Sequence, residues 1–197
     1  MKRFLKGSVA VLLIAVLLSA YIPVLAATDK SPTTKAIGFV QVSDATYTGK
    51  KLTPKVKVYD IEGNKVSSKY YVVKVTGTPK KVGTYKVTIT GKAPYTGKKT
   101  AKFVINKANN PYKIVAGKTV INSSVKKDQT VSIKVTGVKG NAKLGPWSST
   151  NPSVYVKNGK IIIKKRFWGT VYLSIRTNAT ANYKQTRKYI KLTIKKR

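Results

Sequence analysis

From residue 55 onward the chain alternates apolar and polar residues with a period of two. Val56 and Val58 are interleaved with Lys55 and Lys57, and Tyr71, Val73 and Val75 share one side. Tyr85, Val87 and Ile89 alternate with Lys86, Thr88 and Thr90, and Phe103 and Ile105 follow Ala101 at the same spacing. The second half does the same at Val131, Ile133 and Val135, at Ile161 and Ile163, at Val171, Leu173 and Ile175, and at Ile190, Leu192 and Ile194. Successive side chains of a strand point to opposite faces, so the pattern predicts strands with one buried and one wet face. Their β-branched residues and tyrosines suit a pleated surface. Turn chemistry separates them at Tyr47-Thr48-Gly49, Glu62-Gly63-Asn64, Gly77-Thr78-Pro79 and Asn158-Gly159. Many short strands at this spacing predict an all-β protein built of sandwiches.

The chain also repeats itself. Residues 83–107 and 169–196 both run Gly-Thr, an alternating strand, a loop ending in a tyrosine (Tyr95, Tyr183) and a final alternating strand. Each copy therefore reads as the end of one domain. The joint falls near Ala108-Asn109-Asn110-Pro111, which predicts one domain over 36–108 and a second over 109–197. So short a joint leaves the pair limited freedom.

Residues 1–27 read as a secretory signal peptide. Lys2, Arg3 and Lys6 are its positive start, residues 9–18 its apolar run, and Pro23 with Ala26 and Ala27 its cleavage region. Cleavage after Ala26 and after Ala27 are equal alternatives. An uncleaved membrane anchor is the competing reading, since residues 9–27 nearly reach spanning length. Residues 28–35, polar with one Pro, read as a short linker.

Several landmarks carry a resemblance. Tyr47-Thr48-Gly49-Lys50-Lys51-Leu52-Thr53-Pro54, then Val82-Gly83-Thr84-Tyr85-Lys86-Val87, then Gly91 and Tyr95-Thr96-Gly97, resemble the immunoglobulin-like (Ig-like) repeat modules of secreted and surface proteins of Gram-positive bacteria. Ser149-Thr150-Asn151-Pro152-Ser153-Val154, with Asn158-Gly159 and Gly169-Thr170, is similar to the group 2 bacterial Ig-like domains of intimin- and invasin-type adhesins. The opening of the second half, residues 112–125, offers no landmark. The resemblance implies two tandem Ig-like β-sandwiches after the signal peptide, serving as stalks, spacers or adhesion units without an active site. Some such modules carry a Lys–Asn isopeptide cross-link promoted by a buried acid. Asp44, Asp60 or Glu62 would be that acid here, but no Lys stands at an evidently core-facing position.

Composition narrows the chemistry further. The 197 residues include no Cys and no His. Disulfides, thiol nucleophiles, imidazole bases and His-ligated metals are thereby excluded, so each domain must be held by its core. An enzyme is not expected, nor a cofactor or metal site. Asp60 and Glu62 are the one close pair of carboxylates, and beside Gly63-Asn64 they read as solvated turn acids. The Asn122-Ser123-Ser124 and Asn178-Ala179-Thr180 sequons are too short to carry weight. Candidate ligand contacts are Trp147, Arg166 and Trp168, because an exposed indole beside cations can stack on a sugar ring. The competing reading is a plug at an open sandwich end, favoured for Trp168 and evenly balanced for Trp147. Tyr47 and Tyr95 read as fold landmarks.

Charge is the strongest signal. Lys and Arg number 40 against five acids, a net +35. Without residues 1–27, 37 cations face the same five acids, a net +32. Lysines on outer faces discourage sheet-to-sheet aggregation, but mixed charge would serve that purpose equally. So one-sided a balance predicts an anionic polymer as partner: teichoic acid or another envelope polymer, or an acidic glycan. Specific nucleic-acid recognition is not expected, since no recognition motif is present. Membrane contact is expected only through an uncleaved leader. The expected location is secreted, extracellular or on the cell wall. The rival reading is a glycan-binding module that uses Trp147.

Overall fold

The computed structural model describes residues 34–197, and the expected signal peptide and residues 28–33 of the expected linker lie outside the described residues. Lys35, the last residue assigned to that linker, already opens the first strand, because its backbone pairs with Tyr95. Among the described residues the one helical turn is the 3-10 segment Ser68–Tyr70, and all other regular structure is strand. Thr34–Arg197 forms one compact unit.

The first half contributes β1 (Lys35–Ser43), β2 (Ala45–Thr46), β3 (Lys55–Asp60), β4 (Tyr71–Val75), β5 (Gly83–Gly91), β6 (Tyr95–Thr96) and β7 (Lys98–Asn106). The second contributes β8 (Ala108–Asn109), β9 (Lys113–Ala116), β10 (Val120–Ser123), β11 (Gln129–Thr136), β12 (Ser148–Ser149), β13 (Val154–Lys157), β14 (Lys160–Ile163), β15 (Gly169–Thr177), β16 (Tyr183–Lys184) and β17 (Thr186–Lys196).

Sheets β3-β1-β6 and β2-β7-β5-β4 enclose one core: Ile37, Val58, Val66, Val87, Ile89, Phe103 and Ile105. Sheets β13-β14-β11-β9 and β10-β17-β15-β12 enclose another, around Ile121, Ile133, Val154, Ile161, Ile163, Val171, Leu173, Leu192 and Ile194. Most of these are residues that the period-two pattern turns inward; Ile37, Val66, Ile121 and Val154 lie outside the runs it marks. The result is all-β, two Ig-like sandwiches in tandem. Each shares its opening segment between its two sheets. β1 pairs antiparallel with β3, and β2 then crosses to pair in parallel with β7. In the second half β9 pairs with β11, and β10 pairs in parallel with β17.

The sequence repeat has a structural counterpart. Gly83 opens the β5–β7 pair opposite Ile105, and Gly169 opens the β15–β17 pair opposite Ile194. Tyr95 and Tyr183 each begin a two-residue strand that pairs in parallel with the start of its own half, at Lys35 and at Ala108. The Asn158-Gly159 signal makes the β13–β14 hairpin, both residues at positive φ as a tight turn of this kind requires.

Tyr112 is the feature without a sequence landmark. Its ring is fully buried, and its hydroxyl donates to the carbonyls of Ile175 at 2.6 Å and Thr186 at 3.1 Å. Burial pushes its phenol above the ordinary 10.0, with the Lys188 amide and the Arg187 charge pulling the other way.

Candidate functional site

The outer surface is a nearly uncompensated field of cations. Among the described residues 36 Lys and Arg face four acids. One ion pair forms among them, Lys164 Nζ to Asp128 Oδ2 at 3.0 Å. The Lys165 amide and the Lys164 ammonium hold the Asp128 carboxyl below its ordinary value, and that carboxylate in turn raises Lys164. Two of the other acids accept from backbone amides. Asp44 accepts from the Val104 amide at 3.2 Å. Asp60 accepts from the amides of Glu62 and Asn64, at 3.0 and 2.8 Å.

Asp60 corrects the sequence reading in one respect. It is a turn acid, yet it is 2% exposed and not solvated. The amides of its own turn take the place of water around the carboxylate, which lets it sit at the end of β3 under cover. Glu62 stays exposed and accepts from the Asn64 side chain at 3.1 Å. A second difference concerns lysine placement. Lys188 lies on the same side of β17 as Ile190 and Leu192, with its Nζ 5.2 Å from the centre of the Tyr112 ring. Asp128, the acid of that sandwich, accepts from the Lys164 ammonium and the Lys165 amide.

The candidate contacts Trp147, Arg166 and Trp168 are not brought together. Trp147 precedes Ser148, whose partner is Ser174 at the far part of β15, while Trp168 precedes the first residue of that strand. Seven residues of strand separate the two levels, about 23 Å. Trp147 is half-buried and packs against the second core. Trp168 is 47% exposed, with Lys196 Nζ 5.5 Å from its ring centre. The neighbouring Phe167 packs on the core, in the place of the expected Trp168 plug. With Phe167 filling the end, the Trp168 indole is left outward. Arg166 is exposed at φ +64°, its amide donating to the Ser124 carbonyl at 3.0 Å. Among the described residues no group of three or more acids, His or Cys is placed to hold a metal, and no helix is long and apolar enough to cross a membrane.

The two sandwiches meet through the loop before β16. The Tyr183 ring stands edge-on to Tyr47, and Asn182 Oδ1 accepts from the Val82 amide at 3.3 Å. Lys107 Nζ donates to the Thr180 carbonyl at 2.6 Å. Tyr95, the corresponding tyrosine of the first half, packs on Tyr70 within its own sandwich.

The chain matches no protein-family profile and no curated protein sequence. Among solved structures it is similar to domains 4 and 5 of the S-layer protein SbsC, at 14% identity over 81% of this chain and 99% of that one, with a TM-score of 0.31. Against the longer SbsC chain it spans 28% of that protein's length, with a TM-score of 0.30. The insect immune protein hemolin aligns at 14% identity over 86% of this chain and 49% of its own, with a TM-score of 0.33. Murine CEACAM1b aligns at 11% identity over 79% of this chain and all of its own, with a TM-score of 0.28. Overlaps this loose identify neither a family nor a shared function.

Proposed function

We propose that the chain is a secreted or cell-surface structural and adhesive protein of Ig-like modules, held by charge to anionic polymers of a cell envelope or to acidic glycans. The supporting observation is the unbalanced field: 36 cations, four acids and one ion pair among the described residues. Folding alone does not require this. A sheet face kept soluble by charge would tolerate either sign, and a one-sided field raises the self-repulsion of the compact state. An anionic polymer removes that repulsion and gains by releasing its counterions. In this reading the sandwiches are scaffolds that present cations, the resemblance to Gram-positive Ig-like modules extends to their role, and the protein is not an enzyme. The rival, a glycan read by Trp147, has less to rest on, because that ring packs against the core.

A pull-down of the chain from residue 28 onward on isolated envelope, teichoic acid, heparin and a neutral glucan tests the reading. Retention on every anionic matrix, released by rising salt, is expected. Retention on the neutral glucan alone would overturn it.

A further inference from the structure

β15 and β17 pair over nine residues, from Gly169↔Ile194 to Thr177↔Thr186. One side of this pair is core. The other side carries Tyr172, Ser174 and Arg176 from β15 and Arg187, Tyr189 and Lys191 from β17. Tyr172 is 44% and Tyr189 64% exposed, an unusual amount of open aromatic surface for a sheet face. Arg176 lies directly opposite Arg187. Side chains so paired start about 5 Å apart, and like charges there oppose the pairing.

The Arg187 guanidinium is held by a hydrogen bond, and the Arg176 side chain packs on a glycine. Arg187 Nη1 donates to Ser174 Oγ at 3.2 Å, and Ser174 is itself buried. Arg176 lies across the bare Cα of Gly145, where a Cβ would come within 3.2 Å of its Cγ. The Gly145 amide also donates to the Arg176 carbonyl at 2.8 Å. None of the hydrogen bonds or ion pairs of the four described acids reaches this face.

The repeat supplies an internal comparison. With Gly83 matched to Gly169 and Ile105 to Ile194, the equivalent face of β5 and β7 carries Thr90↔Lys98 where the second sandwich has Arg176↔Arg187. It carries Lys86 and Thr100 where the second has Tyr172 and Tyr189. The same scaffold thus has a plain cationic face in one copy and a face of paired arginines with open tyrosines in the other. Only four of the 36 described cations are arginine, and two of them form this pair. Solubility asks for charge here. It does not ask for guanidinium in place of ammonium, nor for rings.

We propose that this face binds a polysaccharide of carboxylate-bearing sugar rings. The paired guanidinium groups receive the carboxylates by forked hydrogen bonds, and Tyr172 and Tyr189 take the flat apolar faces of the rings. Arginine forks match carboxylate and phosphate, where lysine offers a point charge. The tyrosines decide between those two, because a glycerol phosphate polymer has no ring to stack. Lys191, opposite Tyr172, adds a further cation along the same line. Single-stranded nucleic acid would use similar groups, but the leader-like start of the chain favours an exported protein's polymer. The proposal rests on the electrostatic reading above and narrows it to one face.

The test uses the chain from residue 28 onward and four probes: polygalacturonate, dextran sulfate, poly(glycerol phosphate) and oligothymidylate. Three variants are compared. R176K/R187K keeps the charge and removes the forks, Y172S/Y189S keeps the charge and removes the rings, and K86Q/K102Q lowers the charge on the other sandwich. The first two should each weaken polygalacturonate binding by about tenfold or more, the size expected for lost charge-assisted hydrogen bonds. Y172S/Y189S should leave poly(glycerol phosphate) within about twofold, a change too small to signal a lost contact, because that polymer has no ring to stack. K86Q/K102Q should weaken all probes alike and slightly. Unchanged polygalacturonate binding in both charge-conserving variants would overturn the proposal. So would oligothymidylate binding more tightly than polygalacturonate and losing as much in those variants. In either case a wild-type protein that still binds polyanions leaves the electrostatic reading standing. A wild-type protein that binds none of the four sinks both.

Discussion

The ring of Tyr183 in the second sandwich stands edge-on to Tyr47 in the first, centroids 5.5 Å apart and planes at 88°. Tyr183 begins the short strand that closes its own half, so the residue that completes one sandwich also fixes it to the other. An edge-to-face pair is worth about 0.5–1.5 kcal/mol beyond its burial. In Tyr183→Ala, urea unfolding followed by tryptophan fluorescence, which reports only the second sandwich, should separate from unfolding followed by circular dichroism, which reports both. In the unaltered protein the two curves should coincide. Curves that stay together in Tyr183→Ala would assign the coupling to Asn182 and Lys107 instead.

The first sandwich should fold alone. Every buried member of its core lies between Ile37 and Ile105, so a fragment of residues 28–107 keeps the whole cluster. It should give a β-type circular dichroism spectrum and a single cooperative unfolding transition. An unfolded fragment would mean that the contacts of Val82 and Lys107 with the second sandwich are needed for folding.

Tyr112→Phe should cost about 1–2 kcal/mol at neutral pH, because two buried carbonyls lose their shared donor. Burial raises the phenol's pKa in the folded state. Its contribution is therefore complete below the ordinary 10.0 and is lost as pH rises through the higher folded value. The stability gap between wild type and Tyr112→Phe should narrow above about pH 10 in chemical denaturation. A gap that is constant with pH would contradict the burial argument.

Asp128 titrates in the opposite sense. Its folded pKa lies below the ordinary 3.8, through the Lys165 amide first and Lys164 second. The contribution is present at neutral pH and is lost as pH falls below that ordinary value, through the folded pKa. Asp128→Asn should therefore differ in stability from wild type at pH 7 and converge with it in acid. Carboxyl NMR should find its midpoint below 3.8, and a midpoint at or above 3.8 would contradict the geometry.

The strands and their inward residues are legible in the sequence because a half-buried sheet imposes period two directly. The equivalence of Tyr95 and Tyr183 shows in the repeat, and both open matching two-residue strands. Other features were not legible, since each depends on which strand lies beside which. Tyr112 sits in a segment without turn motif or clear period, and only the fold brings the Ile175 and Thr186 carbonyls to its hydroxyl. Phe167 and Trp168 are adjacent large apolar residues, and sequence alone does not say which faces inward. Arg176 and Arg187 are eleven positions apart, and the β15–β17 register makes them opposite neighbours. Alternation from Leu173 and Leu192 places each of them on an outer face, but it does not place them together.

The salt dependence of binding tests the central claim most directly. If outward cations hold an anionic polymer, many weak contacts form at once and each releases counterions. The association constant for heparin or teichoic acid should then fall by about a thousandfold between about 50 and about 200 mM salt, as six or more neutralised anions require. Single Lys→Ala changes should matter little, because the field is spread over 36 described cations. An affinity that changes less than about threefold over that range, or survives about 0.5 M salt, where the Debye length is near 4 Å, would contradict the account.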